Sequence, residues 1–258
     1  MQLEILHQSK SNSKKQSILF LHGMWHGAWC WEPHFMPYFS ELGYNVYAMS
    51  LRNHAGSEQK GGIWKVRMKD YVEDLRQAVE SVEGNPILIG HSMGGFIVQK
   101  YLEKYDAPSV VLLASVPPQG IIAPTLKVLK TFPFTFLKAN LTVNLTHIIA
   151  NKENAKHLLF SDDISDAELT EYHSKMGNEA YLGYIEMLGL SLPKVNKMHI
   201  PPMLVVGAEN DAVVSKINVE KTAKRYHADM KMIPNVAHDV MLDVHWKDVA
   251  DAVADWLE

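Results

Sequence analysis

Pro86-Ile87-Leu88-Ile89-Gly90-His91-Ser92-Met93-Gly94-Gly95-Phe96-Ile97-Val98 decides how the rest of the chain is read. Apolar residues run into Gly-His-Ser-Met-Gly and a helical pattern begins at once, which predicts a strand, a very tight turn and a helix. A serine at the apex of such a turn has a strained backbone, and the residues two before and two after it come close together. Gly90 and Gly94 stand there, where side chains would collide. The turn lifts the Ser92 hydroxyl clear of the strand, at the positive end of the helix that follows. Along that helix Met93, Ile97, Tyr101 and Tyr105 recur every four positions, with Val98 and Leu102 beside them. Gln99, Lys100, Glu103 and Lys104 fall on the opposite face.

Outward from this turn the same rhythm repeats. Residues 17–21 and 109–114 are continuous apolar runs of the kind that form strands buried on both faces. Further strands are predicted at residues 46–49, 202–207 and 230–233, and a short one where Leu3, Ile5 and His7 alternate with polar neighbours before a turn at Ser11-Asn12-Ser13. Between them lie helical patterns. Residues 27–42 read as loop then helix, stopped by Gly43. Residues 66–82 place Tyr71, Leu75, Val79 and Val82 on one face, and residues 217–226 and 246–257 complete the set, the last with a Val249, Val253, Trp256 stripe. Strands separated by helices predict an α/β fold, a mostly parallel sheet of about seven strands with helices on both faces. From Pro117 to Pro193 strand-like runs disappear and apolar residues crowd together, among them Leu126, Leu129, Phe134, Leu137 and Leu141. Ser165-Asp166-Ala167-Glu168 reads as a capped helix start there. The expected organisation is a core from residues 1–117 and 194–258 with a helical cap, or lid, at residues 118–193.

Composition excludes several classes. A chain of 258 residues can bury one substantial core, and 47% hydrophobic with 21% charged residues is ordinary for a globular protein. A net charge of -4, with Lys10 to Lys15 the only basic cluster, leaves no electrostatic footprint for nucleic acid. A lone cysteine, Cys30, excludes an internal disulfide framework and fits a reducing compartment. The opening Met1-Gln2-Leu3-Glu4-Ile5-Leu6 lacks the pattern of a signal peptide, and no apolar stretch approaches a membrane span. The expectation is a soluble cytoplasmic protein with a small-molecule substrate, no nucleic-acid partner and no integral membrane segment. The Asn140-Leu141-Thr142 and Asn144-Leu145-Thr146 acceptor patterns then read as chance.

A serine hydroxyl needs a base to become a nucleophile, and histidine has the matching pKa. Thirteen histidines make residue type uninformative, so position selects. Ligands of open parallel sheets sit at the carboxyl ends of the strands. The loop after the last strand carries His238, and the loop after the strand ending at Gly207 carries Asp211, with Glu209 as the alternative acid. Ser92, Asp211 and His238 thus occur in the chain order that accompanies this type of turn. An oxyanion needs backbone donors, expected from the N–H of Met93, just after the serine, and of Met24, after His22-Gly23. His22, Gly23 and Trp25 are candidate substrate-binding residues, although Trp25, Trp29 and Trp31 read equally well as core. His22 and His26 stand four apart, but the glycines around them argue against a helix, so no metal site and no cofactor are expected. His91 reads as a packing or hydrogen-bonding residue beneath the turn.

His22-Gly23, residues 51–57, Gly90-His91-Ser92-Met93-Gly94-Gly95, residues 207–211 and Ala237-His238-Asp239 together resemble the α/β-hydrolase superfamily, in the right order from about residue 17 onward. Gly90 to Gly95 is similar to the turn of monoglyceride lipases and lysophospholipases. His26-Gly27-Ala28-Trp29-Cys30-Trp31 is similar to a segment of plant methylesterases and hydroxynitrile lyases. Those lyases carry a lysine where Asp239 stands, which argues against cyanohydrin chemistry. The family's Arg-Gly-His-Gly loop reads Arg52-Asn53-His54-Ala55 here, so its backbone is expected to differ. Seven strands are one fewer than the family's eight, the loss expected at the antiparallel N-terminal edge. The resemblance implies a serine carboxylester hydrolase working through an acyl-enzyme. Its alternatives are a lactone or carbon–carbon bond hydrolase with the same three residues, or a receptor that turns over slowly or not at all.

Overall fold

The computed structural model describes residues 1–10 and 15–258, so the turn expected at Ser11-Asn12-Ser13 lies outside the described residues. Seven strands, β1 (Ile5–Gln8), β2 (Ser17–Leu21), β3 (Asn45–Met49), β4 (Ile87–His91), β5 (Val110–Leu113), β6 (Met203–Ala208) and β7 (Asp229–Ile233), form one sheet in the order β1-β3-β2-β4-β5-β6-β7. Only β1 is antiparallel, pairing Ile5 with Met49 at the edge. The other strands run parallel, so the loops that follow them emerge along one side of the sheet. Every residue of β2, β4, β5 and β6 is buried. Successive strand residues face opposite ways, so both faces of the central sheet are covered.

The covering helices are α1 (Phe35–Glu41), α2 (Met68–Ser81), α3 (Met93–Tyr101), α10 (Lys216–Tyr226) and α11 (Trp246–Leu257). Helix α1 follows a loop in which residues 28–31 form a separate 3-10 turn. It ends as expected at Gly43, with φ of 89°, where the Tyr44 N–H reaches back to the Phe39 carbonyl at 3.1 Å. One expectation on α3 is overturned. Gln99 is not on a solvated face; it is fully buried, donating to the Val116 carbonyl at 2.8 Å and the Ser115 hydroxyl at 3.0 Å, and accepting from the Tyr226 hydroxyl at 3.0 Å. The amide satisfies three groups, two just after β5 and one in α10, which helical periodicity along one element does not report.

Between β5 and β6 the described chain holds helices and no strand: α4 (Ile122–Thr131), α5 (Pro133–Leu141), α6 (Thr146–Ile149), α7 (Lys152–Leu159), α8 (Asp166–Lys175) and α9 (Tyr181–Ile185). Helix α8 starts with the Ser165 and Glu168 capping box. Much of the apolar crowding here faces outward, with Phe134 86% and Leu141 76% exposed. The inner face of α4 and α5 turns toward the carboxyl ends of the strands.

The turn after β4 has Ser92 at φ 50° and ψ -117°, a conformation that ordinary residues avoid. Its crowding is three-sided. A Cβ on Gly90 would lie 2.7 Å from the Gly95 Cα, and one on Gly94 would lie 2.4 Å from the Leu21 carbonyl oxygen and 2.5 Å from that of His22. The glycines let α3 start directly against the end of β2. The residue 51–57 loop holds two non-glycine residues at positive φ. Asn53 at φ 62° and Ala55 at φ 41° keep the left-handed backbone that glycine would favour. Gly94→Ala is expected to lower the unfolding free energy by about 1–3 kcal/mol, the range for overpacking against rigid neighbours, as read by urea denaturation. An unchanged transition would show that the backbone at residues 21–22 gives way.

Candidate active site

Three loops at the carboxyl side of the sheet bring together side chains that are 119 or more positions apart from Ser92 in sequence. Asp211 is 119 positions from Ser92 and His238 is 146. The His238 Nε2 lies 2.9 Å from the Ser92 Oγ, and its Nδ1 lies 2.8 Å from the Asp211 Oδ2. The other oxygen of Asp211 accepts the N–H groups of Val213 at 2.6 Å and Val214 at 2.7 Å, which fixes the carboxylate. Glu209 is exposed and takes no part. The geometry fits one tautomer: Nδ1–H donates to Asp211, and Nε2 is free to take the serine proton. Burial acts to lower the His238 pKa, but Asp211 beside it, and Asp239 next, hold it above the ordinary imidazole value.

Met93 opens α3, so its N–H has no acceptor within the helix. A Cβ on Gly23 would lie 2.8 Å from the His91 ring and 3.0 Å from the Ser92 Cβ. The missing side chain is what lets the His22-Gly23-Met24 backbone run against the serine. Met24 and Trp25 line an apolar cavity together with Ser92 and His238, and its other walls include Ile121, Val128, Phe136, Leu159 and Tyr184. Its free volume is about 80 Å³. Of the candidate substrate-binding residues, Trp25 reaches this cavity. His22 and Gly23 do not line it. Both His22 ring nitrogens are occupied, Nδ1 by the Gly23 carbonyl at 2.7 Å and Nε2 by the Leu51 N–H at 3.0 Å. Burial, with His54 nearby, holds its pKa well below normal, so it is a neutral brace between two loops.

The periodicity of the sequence does not reveal two buried pairings of histidine with carboxylate that flank the site. His26 Nε2 lies 3.0 Å from Asp239 Oδ2, and His54 Nε2 lies 3.2 Å from Glu179 Oε2, all four side chains being at most 1% exposed. Burial opposes both charges, yet the partners raise the pKa of each histidine and lower that of each acid. Asp239 is legible in the sequence only as the residue standing in place of a lysine, and Glu179, in the loop before α9, carries no local signal. His91 Nε2–H donates to the His238 carbonyl, 2.9 Å away, and burial with His238 beside it pushes its pKa down to about 3. His22 and His26 do not converge as ligands. Among the described residues, His91, His238 and Asp239 offer ligand atoms within 4.8 Å of one another, but an ion there would withdraw His238 from Ser92 and Asp211.

A parallel sheet with a serine turn at its centre and a histidine and an acid at its carboxyl edge defines the α/β-hydrolase class. The chain belongs to the alpha/beta hydrolase family, whose model matches residues 18–252. It is 26% identical over 248 residues to the monoacylglycerol lipase of Mycolicibacterium smegmatis, a match covering 85% of this chain and 80% of that protein. It is 31% identical over 110 residues to methylesterase 2 of Arabidopsis thaliana, covering 40% of this chain and 41% of that one. The chain thus spans less than half the length of the plant relatives it matches. An esterase from Exiguobacterium antarcticum shares the fold at a TM-score of 0.77 and 14% identity, over 99% of this chain and 95% of the other. Among the described residues no helix is long and apolar enough to cross a membrane. Asp239→Asn leaves the His26 charge buried without a partner, and about 3–5 kcal/mol of stability is expected to be lost at neutral pH. Chemical denaturation reads that loss, and a change under 1 kcal/mol would show that the pair is not ionised.

Proposed function

We propose that this α/β hydrolase is a serine carboxylester hydrolase that cleaves a small or medium ester with an apolar moiety through an acyl-enzyme. The observation that carries the reading is the unbroken hydrogen-bonded series Ser92–His238–Asp211 opening into an apolar cavity. Ser92 Oγ attacks the ester carbonyl carbon as its proton passes to His238 Nε2. The carbonyl oxygen becomes an oxyanion and takes the N–H groups of Met24 and Met93. Collapse breaks the carbon–oxygen bond, and His238 returns the proton to the departing alcohol. A water then attacks the acyl group by the same route and releases the acid. Asp211 holds the His238 tautomer and stabilises the imidazolium.

Residues 118–193 act as a cap whose apolar underside excludes water and receives the acyl or alcohol portion. Ile121, Val128 and Phe136 in the cavity wall support that role. Asp239, set against His26, puts a carboxylate rather than a lysine ammonium directly after His238, which favours hydrolysis over cyanohydrin cleavage. The monoacylglycerol lipase and methylesterase relatives are consistent with an ester substrate.

Hydrolysis of p-nitrophenyl esters of increasing acyl length tests the reading directly. Ser92→Ala is expected to remain folded and to lose at least about a thousandfold in kcat, as removal of the nucleophile does in comparable enzymes. Undiminished activity would overturn the assignment. Because the base must be neutral and its pKa is raised, kcat/KM is expected to climb with pH through a midpoint above the ordinary imidazole value of about 6.5. A midpoint at or below that value would contradict the environment described for His238.

A further inference from the structure

Glu179 is fully buried on the loop between α8 and α9, far along the chain from every residue of the triad. An isolated carboxylate in that position would be strongly unfavourable, so its partners matter. It has four. Oε1 accepts the Tyr71 hydroxyl at 2.8 Å and the Ala180 N–H at 2.6 Å. Oε2 accepts the Trp25 N–H at 3.2 Å and faces His54 Nε2 at 3.2 Å. The other His54 nitrogen faces the Arg52 carbonyl at 3.0 Å. Both ring nitrogens therefore point at acceptors, which requires the doubly protonated ring.

The Trp25 N–H and the Met24 carbonyl belong to one peptide plane. Glu179 holds the N–H, and the His26 Nδ1 holds the carbonyl at 2.7 Å. The next carbonyl, that of Trp25, accepts the Gly177 N–H at 2.8 Å, from the same loop as Glu179. Trp25 itself sits at φ 66°, a conformation a tryptophan does not keep without external restraint. The loop that carries the proposed oxyanion donor is thus strained, and it is fastened from the helical insertion as well as from the core.

We infer that Glu179 is a positioning residue for the oxyanion hole: by gripping the Met24–Trp25 peptide it aims the Met24 N–H at the reacting carbonyl oxygen. The inference rests on the serine-hydrolase reading above. It makes the insertion part of the catalytic geometry as well as a cover. Seating of residues 177–179 on the core is what completes the site.

Glu179→Gln keeps the size of the side chain but replaces one accepting oxygen by an NH2 that cannot receive two of the four donors. The expected result is a folded variant whose kcat on a p-nitrophenyl ester falls roughly 10- to 100-fold while KM moves less than about threefold. An arylboronic acid, which forms a tetrahedral adduct on the serine, is expected to bind more weakly by a similar factor. If the variant does not fold, Glu179→Asp, which keeps the charge but retracts it from Trp25, is expected to give the same pattern. Unchanged kcat in a folded variant, a loss carried by KM, or unchanged boronate affinity would overturn the inference. So would failure of both variants to fold, which would assign Glu179 to folding alone. Wild type is assayed beside them with a fluorophosphonate label for Ser92. A wild type that neither hydrolyses nor labels removes the serine-hydrolase reading, whereas an active wild type matched by an equally active variant removes this inference only.

Discussion

The close approach of three backbone segments around Ser92 is the constraint on which the site depends. The end of β2, the turn after β4 and the first residues of α3 meet where any Cβ at Gly90 or Gly94 would lie within 2.7 Å of another backbone. That contact holds the serine at its strained φ of 50°, starts α3 with its dipole behind the hydroxyl, and brings the backbone after His22 alongside. A strained residue persists only where its surroundings over-determine it. Here the surroundings are the fully buried strands β2, β4 and β5. The strength of the sheet is thus what stores the strain that exposes the hydroxyl.

Around this rigid centre, polarity is buried with its partners already chosen. His22 is neutral and bridges two backbones, whereas His26 and His54 are each set against a carboxylate. The two ion pairs differ in origin. Asp239 follows His238 directly and ties His26 to the core, while Glu179 arrives from the insertion and ties His54 and Trp25 to it. Buried ion pairs of this kind add little net stability over apolar packing, but they are exacting about geometry. Their position on either side of the Met24–Trp25 peptide is therefore better understood as a demand for placement than for stability.

Kinship and cavity divide the functional question between them. A family match over residues 18–252 and a shared fold at a TM-score of 0.77 account for the sheet and the order of the three loops. They say less about what is cleaved, because the cavity wall comes mainly from α4, α5 and the helices after them, the part of the chain between β5 and β6. Most of the cavity wall thus comes from the segment between β5 and β6, whereas Ser92, Asp211 and His238 come from loops that follow strands of the sheet.

Local pattern alone determined the strands and the serine turn, because periodicity and glycine placement act over a few residues, and place after a strand end nominated Asp211 and His238. It chose Asp211 over Glu209 on position only; the exposed Glu209 and the 2.8 Å contact to Asp211 supply the physical ground. What the tertiary structure alone decided is which polar residues are buried together. Gln99 looked like solvated helix surface and is a hub between α3, β5 and α10. Glu179 gave no signal at all. Each of these depends on partners tens to more than a hundred residues away, and burial of a polar group is decided by whether such a partner is brought to it, which no local pattern encodes.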